Sequence, residues 1–525
     1  MMKRIWGLAA MAGGLITAPA LAQQAELASG TVRGAPVAGP APVTAFLGIP
    51  YAAPPVGPLR WTPPQPAARW SGVRAADRFG ARCMQQPLYA DMMFRSAAAS
   101  EDCLTLNVWT PAGTPKGTKL PVLFYIHGGG AIAGDGSEKR YDGASMARRG
   151  IVVVTINYRL GVFGFLATPE LAAESPRGAA GNYGLLDQAA ALAWVRRNVG
   201  AFGGDPDRIT IAGESAGSMS VSVLMTSPLT RTRFARAIGE SGGVLPPTFH
   251  PKPLADAARS GTAFAQAAGA PTLAALRAMP ADQLLAAQGH QQFRAEFVVD
   301  GLFLTETPAA SYAAGRAARV PLLVGSNSQE GAWTAILGTA APTAANYRAA
   351  LERLFPGRGE ALFALYPATR DSDVQTTAMR LASDRFLGAS TWQWFDHHRR
   401  SGQPTYYYHY PHVRPAALPP LTNGTPPPLG AVHSAEIEYA LGNLDVNPIY
   451  AWTADDRTVA TTLQGYFTAF VKAGDPNDAA LPRWTAAPAS GAATTRQVID
   501  VATRSEPFGF HARYPRAVAL LDATP

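Results

Sequence analysis

Short runs of apolar, β-branched residues recur along the chain at 122–126, 151–156, 209–212, 237–239, 320–324, 406–410 and 498–501. Continuous apolar runs of this length read as strands buried on both faces. Between several of them lie helical patterns. In 185–199, for example, Leu185, Leu186, Ala189, Leu192, Ala193 and Val199 fall near one helical face. Strands alternating with helices predict an α/β fold whose central, mostly parallel sheet is covered on both sides. In such a sheet the active site belongs at the carboxyl ends of the strands. Two alanine- and leucine-rich stretches, 254–285 and 347–399, interrupt the rhythm with helical patterning and are expected to form a cap. The segment 413–429, rich in proline and small residues, reads as an irregular loop that delivers His433 to a fixed place.

Composition narrows the picture in two ways. A chain of 525 residues with 47% hydrophobic content can bury a large core. Its first 22 residues have Lys3 and Arg4, an apolar stretch over 5–16, and Ala20-Leu21-Ala22 as a small-residue cleavage site. This is the pattern of a signal peptide, and it predicts a protein exported to the periplasm or the extracellular medium. No later segment approaches the roughly 20 apolar residues of a membrane span, so stable membrane insertion is not expected. The formal charge of +8 falls to +6 on cleavage, since the leader holds two of the 45 basic residues and no acidic one. With no basic block and no interleaving of basic and aromatic residues, nucleic acid is not an expected partner. Oligomeric state is not legible.

Cys83 and Cys103 are the only cysteines. In an exported chain two cysteines twenty residues apart predict a disulfide, since a metal site would need further ligands nearby and none are present. Neither a metal nor an organic cofactor is implied.

The chemistry centres on Gly213-Glu214-Ser215-Ala216-Gly217, between an apolar run at 209–212 and a helical pattern at 216–226 that Pro228 ends. A strand, sharp turn and helix around G-x-S-x-G is the context of a nucleophilic serine. The 122–126 strand runs into His127-Gly128-Gly129-Gly130, where backbone N–H groups can turn inward as an oxyanion hole together with that of Ala216. His127 itself reads as structural. A serine nucleophile needs a base and an orienting acid. Among the later histidines His433 stands out, because Ser434-Ala435-Glu436 follows it as a helix start that Ser434 could cap. His397 and His398 sit at a helix end, and His409 and His412 read as packing residues. Glu330, just past the strand at 320–324 and a turn at 325–329, is the leading acid, with Asp300 and Asp384 as rivals.

These residues, with FLGIPYAAPPVGPLRW at 46–61, EDCLTLNVWTP at 101–111, NYRLGVFGF at 157–165, GNYGLLDQ at 181–188, FGGDP at 202–206 and GDPN at 474–477, resemble the type-B carboxylesterase and cholinesterase-like family. The resemblance implies an α/β-hydrolase fold over 23–525, with a twisted sheet flanked by helices and helical insertions near 250–290 and 345–400 over an active-site gorge. It implies a serine ester hydrolase with Ser215, Glu330 and His433 as triad and Gly129, Gly130 and Ala216 as oxyanion donors. It further implies Ser241 and Glu214 as triad support, a Cys83–Cys103 disulfide, and an Arg60–Glu101 ion pair. The partner is then a small-molecule ester. Amide, lactone or carbamate hydrolysis could run on the same triad, and a non-catalytic binding module would be expected to lack one of its members. Where the family usually has an aromatic residue, Ala131 stands, which predicts a more open pocket wall. Trp333 is expected to line the gorge. The Cys83–Cys103 loop has Met92, Met93 and Phe94 and no tryptophan, which argues against cholinesterase specificity.

Overall fold

The computed structural model describes residues 23–419, 428–491 and 493–522. The signal peptide expected over residues 1–22 lies outside these residues. Eleven strands form one sheet, numbered here in chain order: β1 (Ala35–Val37), β2 (Val43–Pro50), β3 (Thr105–Pro111), β4 (Leu120–Ile126), β5 (Val152–Ile156), β6 (Gly204–Glu214), β7 (Arg236–Glu240), β8 (Leu322–Asn327), β9 (Thr405–Tyr410), β10 (Thr495–Val498) and β11 (Arg504–Pro507). Their spatial order is β11-β10-β9-β8-β7-β6-β4-β5-β3-β2-β1. The stretch from β10 to β5 is parallel throughout, and only the pairings at the two flanks are antiparallel.

Strand β4 shows why both faces must be covered. Val122, Phe124 and Ile126 pack into one hydrophobic core, and Leu123 and Tyr125 into another on the opposite face. Alternation puts successive side chains on opposite faces, so an unbroken apolar run demands two layers of helices. Helices α1 (Tyr183–Asn198), α2 (Ala216–Leu224) and α9 (Ala389–Arg400, numbered after those below) contribute Leu192, Val221 and Trp394 to the first core. The long helix α11 (Ala454–Ala473) contributes Leu463 and Phe467 to the second.

The sequence patterning placed the parallel strands well and their ends less well. Strand β8 does not stop at 324 but runs to Asn327, so most of the expected turn at 325–329 is strand. Strand β10 ends where the 498–501 run begins, leaving Val501 exposed.

The two helical stretches also differ from a simple cap. Helices α3 (Leu254–Ala267), α4 (Leu273–Ala278) and α5 (Ala281–His290) form a third core with Val162, Phe163 and Leu171. In the second stretch, α6 (Ala344–Leu354), α7 (Gly359–Leu365) and α8 (Asp371–Ser383) precede a π-helical turn, Asp384–Gly388. Then α9 lies on the sheet itself, so the end of this stretch is a sheet layer, while α6 and α7 line no part of the cavity described below.

Cys83 and Cys103 form a disulfide, with an S–S distance of 2.02 Å. The Arg60 guanidinium makes two hydrogen bonds to Glu101, at 2.7 and 2.6 Å, and donates to the carbonyls of Leu276 and Met279. One buried arginine thus ties the disulfide loop to the end of α4.

Candidate active site

Because β4, β6, β7 and β8 are parallel, their carboxyl ends arrive side by side. Gly213 pairs with Ile126, Glu214 with Glu240, and Glu240 with Gly325. The next residues therefore converge: His127 to Gly130 after β4, Ser215 after β6, Ser241 after β7 and Glu330 just beyond β8. The strand ladder continues past the strands, with Ser215 N–H donating to the Glu240 carbonyl at 2.8 Å and Ser241 N–H to that of Gly325 at 2.9 Å. His433 comes from far along the chain and is docked by Gln329 N–H donating to the Ala431 carbonyl at 2.8 Å.

Ser215 sits at φ 56° and ψ −121°, directly before α2. Left-handed φ at a residue with a side chain costs of order 1–3 kcal/mol and persists only where the surroundings enforce it. The flanking glycines are needed for space. A Cβ on Gly213 would lie 2.6 Å from the Gly217 carbonyl carbon, and one on Gly217 would lie 2.0 Å from the Ile126 oxygen. The tight crossing of α2 over the end of β4 holds the serine at the tip.

Nε2 of His433 lies 2.9 Å from the Ser215 hydroxyl oxygen, and its Nδ1 lies 2.7 Å from Oε2 of Glu330. The other Glu330 oxygen accepts from the Ser241 hydroxyl and from the N–H of Asn327, both at 2.6 Å. Asn327 also donates its side-chain N–H to Glu436 at 2.5 Å and to the Val432 carbonyl at 2.9 Å. It therefore clamps the loop that carries Glu330 to the loop that carries His433. Nothing in the local sequence marks Asn327, whose side-chain partners lie more than a hundred residues away.

A second carboxylate reaches His433. Oε1 of Glu214 is 3.2 Å from Nε2 of His433, and Glu214 is buried. Burial pushes Glu214 up to about 8, and Glu436 up to about 7 with the nearby Glu330 charge adding to the rise. Burial alone would lower His433, but the surrounding carboxylates, Glu214 first, outweigh it and raise the imidazole to about 9. An imidazole among carboxylates holds its proton more tightly than one in water.

The glycine loop turns through left-handed conformations, φ 102° at Gly129, 65° at Gly130 and 58° at Ala131. No acceptor among the described residues takes the N–H of Gly129, Gly130 or Ala216. Unpaired donors beside a serine at a helix N-terminus suit a developing negative oxygen. The disulfide loop lies over this segment, with the Met92 methyl 3.2 Å from where a Gly129 Cβ would stand. His127 is buried, stacks on Tyr158 at 4.5 Å, and bonds through Nδ1 to the Gly128 carbonyl oxygen at 2.8 Å. It is structural.

Ser215 opens into a cavity of about 560 Å³ whose wall includes Gly130, Ala131, Ala216, Phe249, Phe297 and Phe386. Gly129 is one residue outside this lining. Trp333 does not line the cavity: it packs half-buried against the first core, and Ala335 and Ile336 take the wall position instead. Phe386, on the π-helical turn, meets the His433 ring edge-on at 5.5 Å. The first helical insertion contributes no wall residue; the segments flanking it do, through Thr248, Phe249, Ala295 and Phe297.

Other candidates find different uses. Asp300 accepts three backbone N–H groups, from Leu302, Phe303 and Leu304, and stabilises a turn. Asp384 accepts the hydroxyls of Tyr366 and Tyr514. Ser434 caps no helix, since the short helix α10 (Ile437–Leu441) begins three residues later; its hydroxyl accepts from Arg140 at 3.3 Å. His412 is more than a packing residue: it bridges Asp456 and Asp500 at 3.0 Å each.

A model of the carboxylesterase family matches residues 22–512 of the chain. The chain is 36% identical over 465 residues to a fumonisin B1 esterase of Sphingopyxis macrogoltabida, a match that covers 84% of this chain and 81% of that protein. It is 34% identical over 469 residues to the cocaine esterase of Homo sapiens, with 84% and 81% covered. It is 33% identical over 495 residues to liver carboxylesterase 1 of Oryctolagus cuniculus, with 85% and 84% covered.

Proposed function

The chain belongs to the carboxylesterase family and is a carboxylic ester hydrolase, and from that premise we propose that it works by serine catalysis through Ser215, His433 and Glu330. The observation that carries this reading is the unbroken hydrogen-bond path from the Ser215 hydroxyl through both nitrogens of His433 to Glu330. Ser215 attacks the ester carbonyl as Nε2 of His433 takes its proton. Glu330, held by Ser241 and Asn327, keeps Nδ1 protonated and stabilises the imidazolium that forms. The N–H groups of Gly129, Gly130 and Ala216 receive the oxyanion; removing one such donor costs about 3–4 kcal/mol of barrier. His433 then protonates the departing alcohol, and water attacks the acyl-enzyme by the same route.

The disulfide and the absence of a membrane-spanning helix among the described residues are compatible with export, to the periplasm or beyond. The relatives are named for different esters, so the substrate is to be sought in this chain's own cavity. A fluorophosphonate probe tests the nucleophile: we expect labelling of the intact protein at Ser215 and none of Ser215→Ala. Labelling that survives the substitution would overturn the assignment.

A further inference from the structure

Apart from the hydroxyls of Ser215 and Thr248, the cavity in front of Ser215 is lined by apolar residues and by two residues that carry charge, Glu330 and Arg385. Glu330 is buried and its carboxylate is taken up by His433, Ser241 and Asn327. Arg385 is different. Among the described residues its guanidinium has no carboxylate partner and rests above the Phe355 ring at 5.3 Å. Its neighbour Asp384 is turned away, held by two tyrosine hydroxyls, and the cations that influence it are Arg513 and Arg380. The wide π-helical turn explains the placement. Inserting an extra residue per turn re-aims side chains, and such turns cluster at functional sites. Here it sets Phe386 against the base and Arg385 beside it on the wall.

We propose that Arg385 selects esters that carry a carboxylate away from the scissile bond, an inference that rests on the reading of this cavity as the site of ester hydrolysis. Arg385 is solvent-exposed but shares the cavity wall with Phe249, Phe297, Ile336 and Met219, so its guanidinium can meet an anion arriving from water beside an apolar surface. It offers a planar fork that matches a carboxylate in two parallel hydrogen bonds. Phe355 beneath it limits its motion, so less freedom is lost when the anion arrives. The net positive charge, +8 for the full chain and +6 without its first 22 residues, adds attraction at a distance. The carboxylate could sit on the acyl or on the alcohol portion.

Two matched pairs of esters test both sources. For the acyl side, the 4-nitrophenyl half-ester of glutaric acid is compared with its methyl-capped diester. For the alcohol side, 4-acetoxybenzoate is compared with 4-acetoxybenzamide. We expect kcat/KM for the anionic member of at least one pair to exceed that of its neutral partner about tenfold at low ionic strength, with the advantage shrinking as salt is added. Arg385→Gln should reduce that ratio to near one through a higher KM for the anionic ester, and Arg385→Lys should restore part of it. Turnover of the neutral esters reports that each variant has folded. Ratios near one in both pairs for the unaltered protein, or a ratio that Arg385→Gln leaves in place, would overturn the proposal. Failure to cleave any of the four esters would overturn the underlying reading of the cavity and this inference with it.

Discussion

Glu214 and His433 meet at a single nitrogen: Oε1 of Glu214 lies 3.2 Å from the same Nε2 that faces the Ser215 hydroxyl at 2.9 Å. His433 is thus flanked by one carboxylate on each ring nitrogen, Glu330 on Nδ1 and Glu214 on Nε2. Both favour the imidazolium, so in its proposed role as base His433 is free of its proton only at higher pH.

An ordinary histidine would give an activity that climbs through about pH 6 to 7. A general base must be neutral, and His433 is raised to about 9. The rising limb of kcat/KM should therefore lie on the alkaline side of neutrality. In Glu214→Gln the largest upward influence is gone, and the limb should move toward acid by about one unit. A kcat/KM profile for a neutral ester, recorded for both proteins, checks this. Coincident limbs would show that Glu214 does not tune the base.

Ser241 gives Glu330 one of its two donors on Oε1, the other being the Asn327 N–H. Ser241→Ala should lower kcat about tenfold, the worth of one hydrogen bond to a charged group, with KM little changed because Ser241 lines no part of the cavity. Steady-state kinetics on one ester suffices. A change in KM alone would assign Ser241 to binding.

Gly217→Ala should unfold or severely weaken the protein. Its Cβ would press to 2.0 Å from a backbone oxygen of β4, which cannot move without disturbing the central ladder. We expect a loss of about 3 kcal/mol or more, read from urea denaturation. Gly200→Ala, where a Cβ meets nothing within 4 Å, is the control and should behave as the parent.

The disulfide closes a loop of twenty residues that lies against the glycine loop. Replacing both cysteines by serine should cost about 3 kcal/mol in the chain-entropy picture. Urea denaturation measures the loss, and an unaltered midpoint would show that the loop is held by other contacts, Arg140 on Asp91 among them.

Patterning made the parallel strands legible because each is apolar on both faces, a demand imposed locally by two covering layers. Strand ends were harder. Residues 325–327 read as a turn, but their backbone continues the ladder, Gly325 with β7 and all three with β9, and only the neighbouring strands make that extension worthwhile. Trp333 was misplaced for a related reason: a large apolar side chain suits a gorge or a core equally, and which it enters depends on the rotation of the turn that carries it. Arg385 and Phe386 were invisible within a helical pattern, because a π-helical turn has no sequence signature strong enough to distinguish it from regular helix.

The sequence by itself determined the layered α/β architecture, the serine's turn and the glycine loop, and it offered the carboxylate and histidine that we propose as acid and base. Each rests on local chemistry: glycine where no Cβ fits, apolar runs where two faces are buried, a hydroxyl at a sharp turn. Tertiary structure alone decided what those residues meet. Ser215, Glu330 and His433 span more than two hundred positions, and only parallel strands ending at one edge, with a long return loop docked on Gln329, bring them within hydrogen-bond reach. The same convergence sets Glu214 on the base and Arg385 on the wall, and distances across a fold are fixed by packing that no short stretch of chain contains.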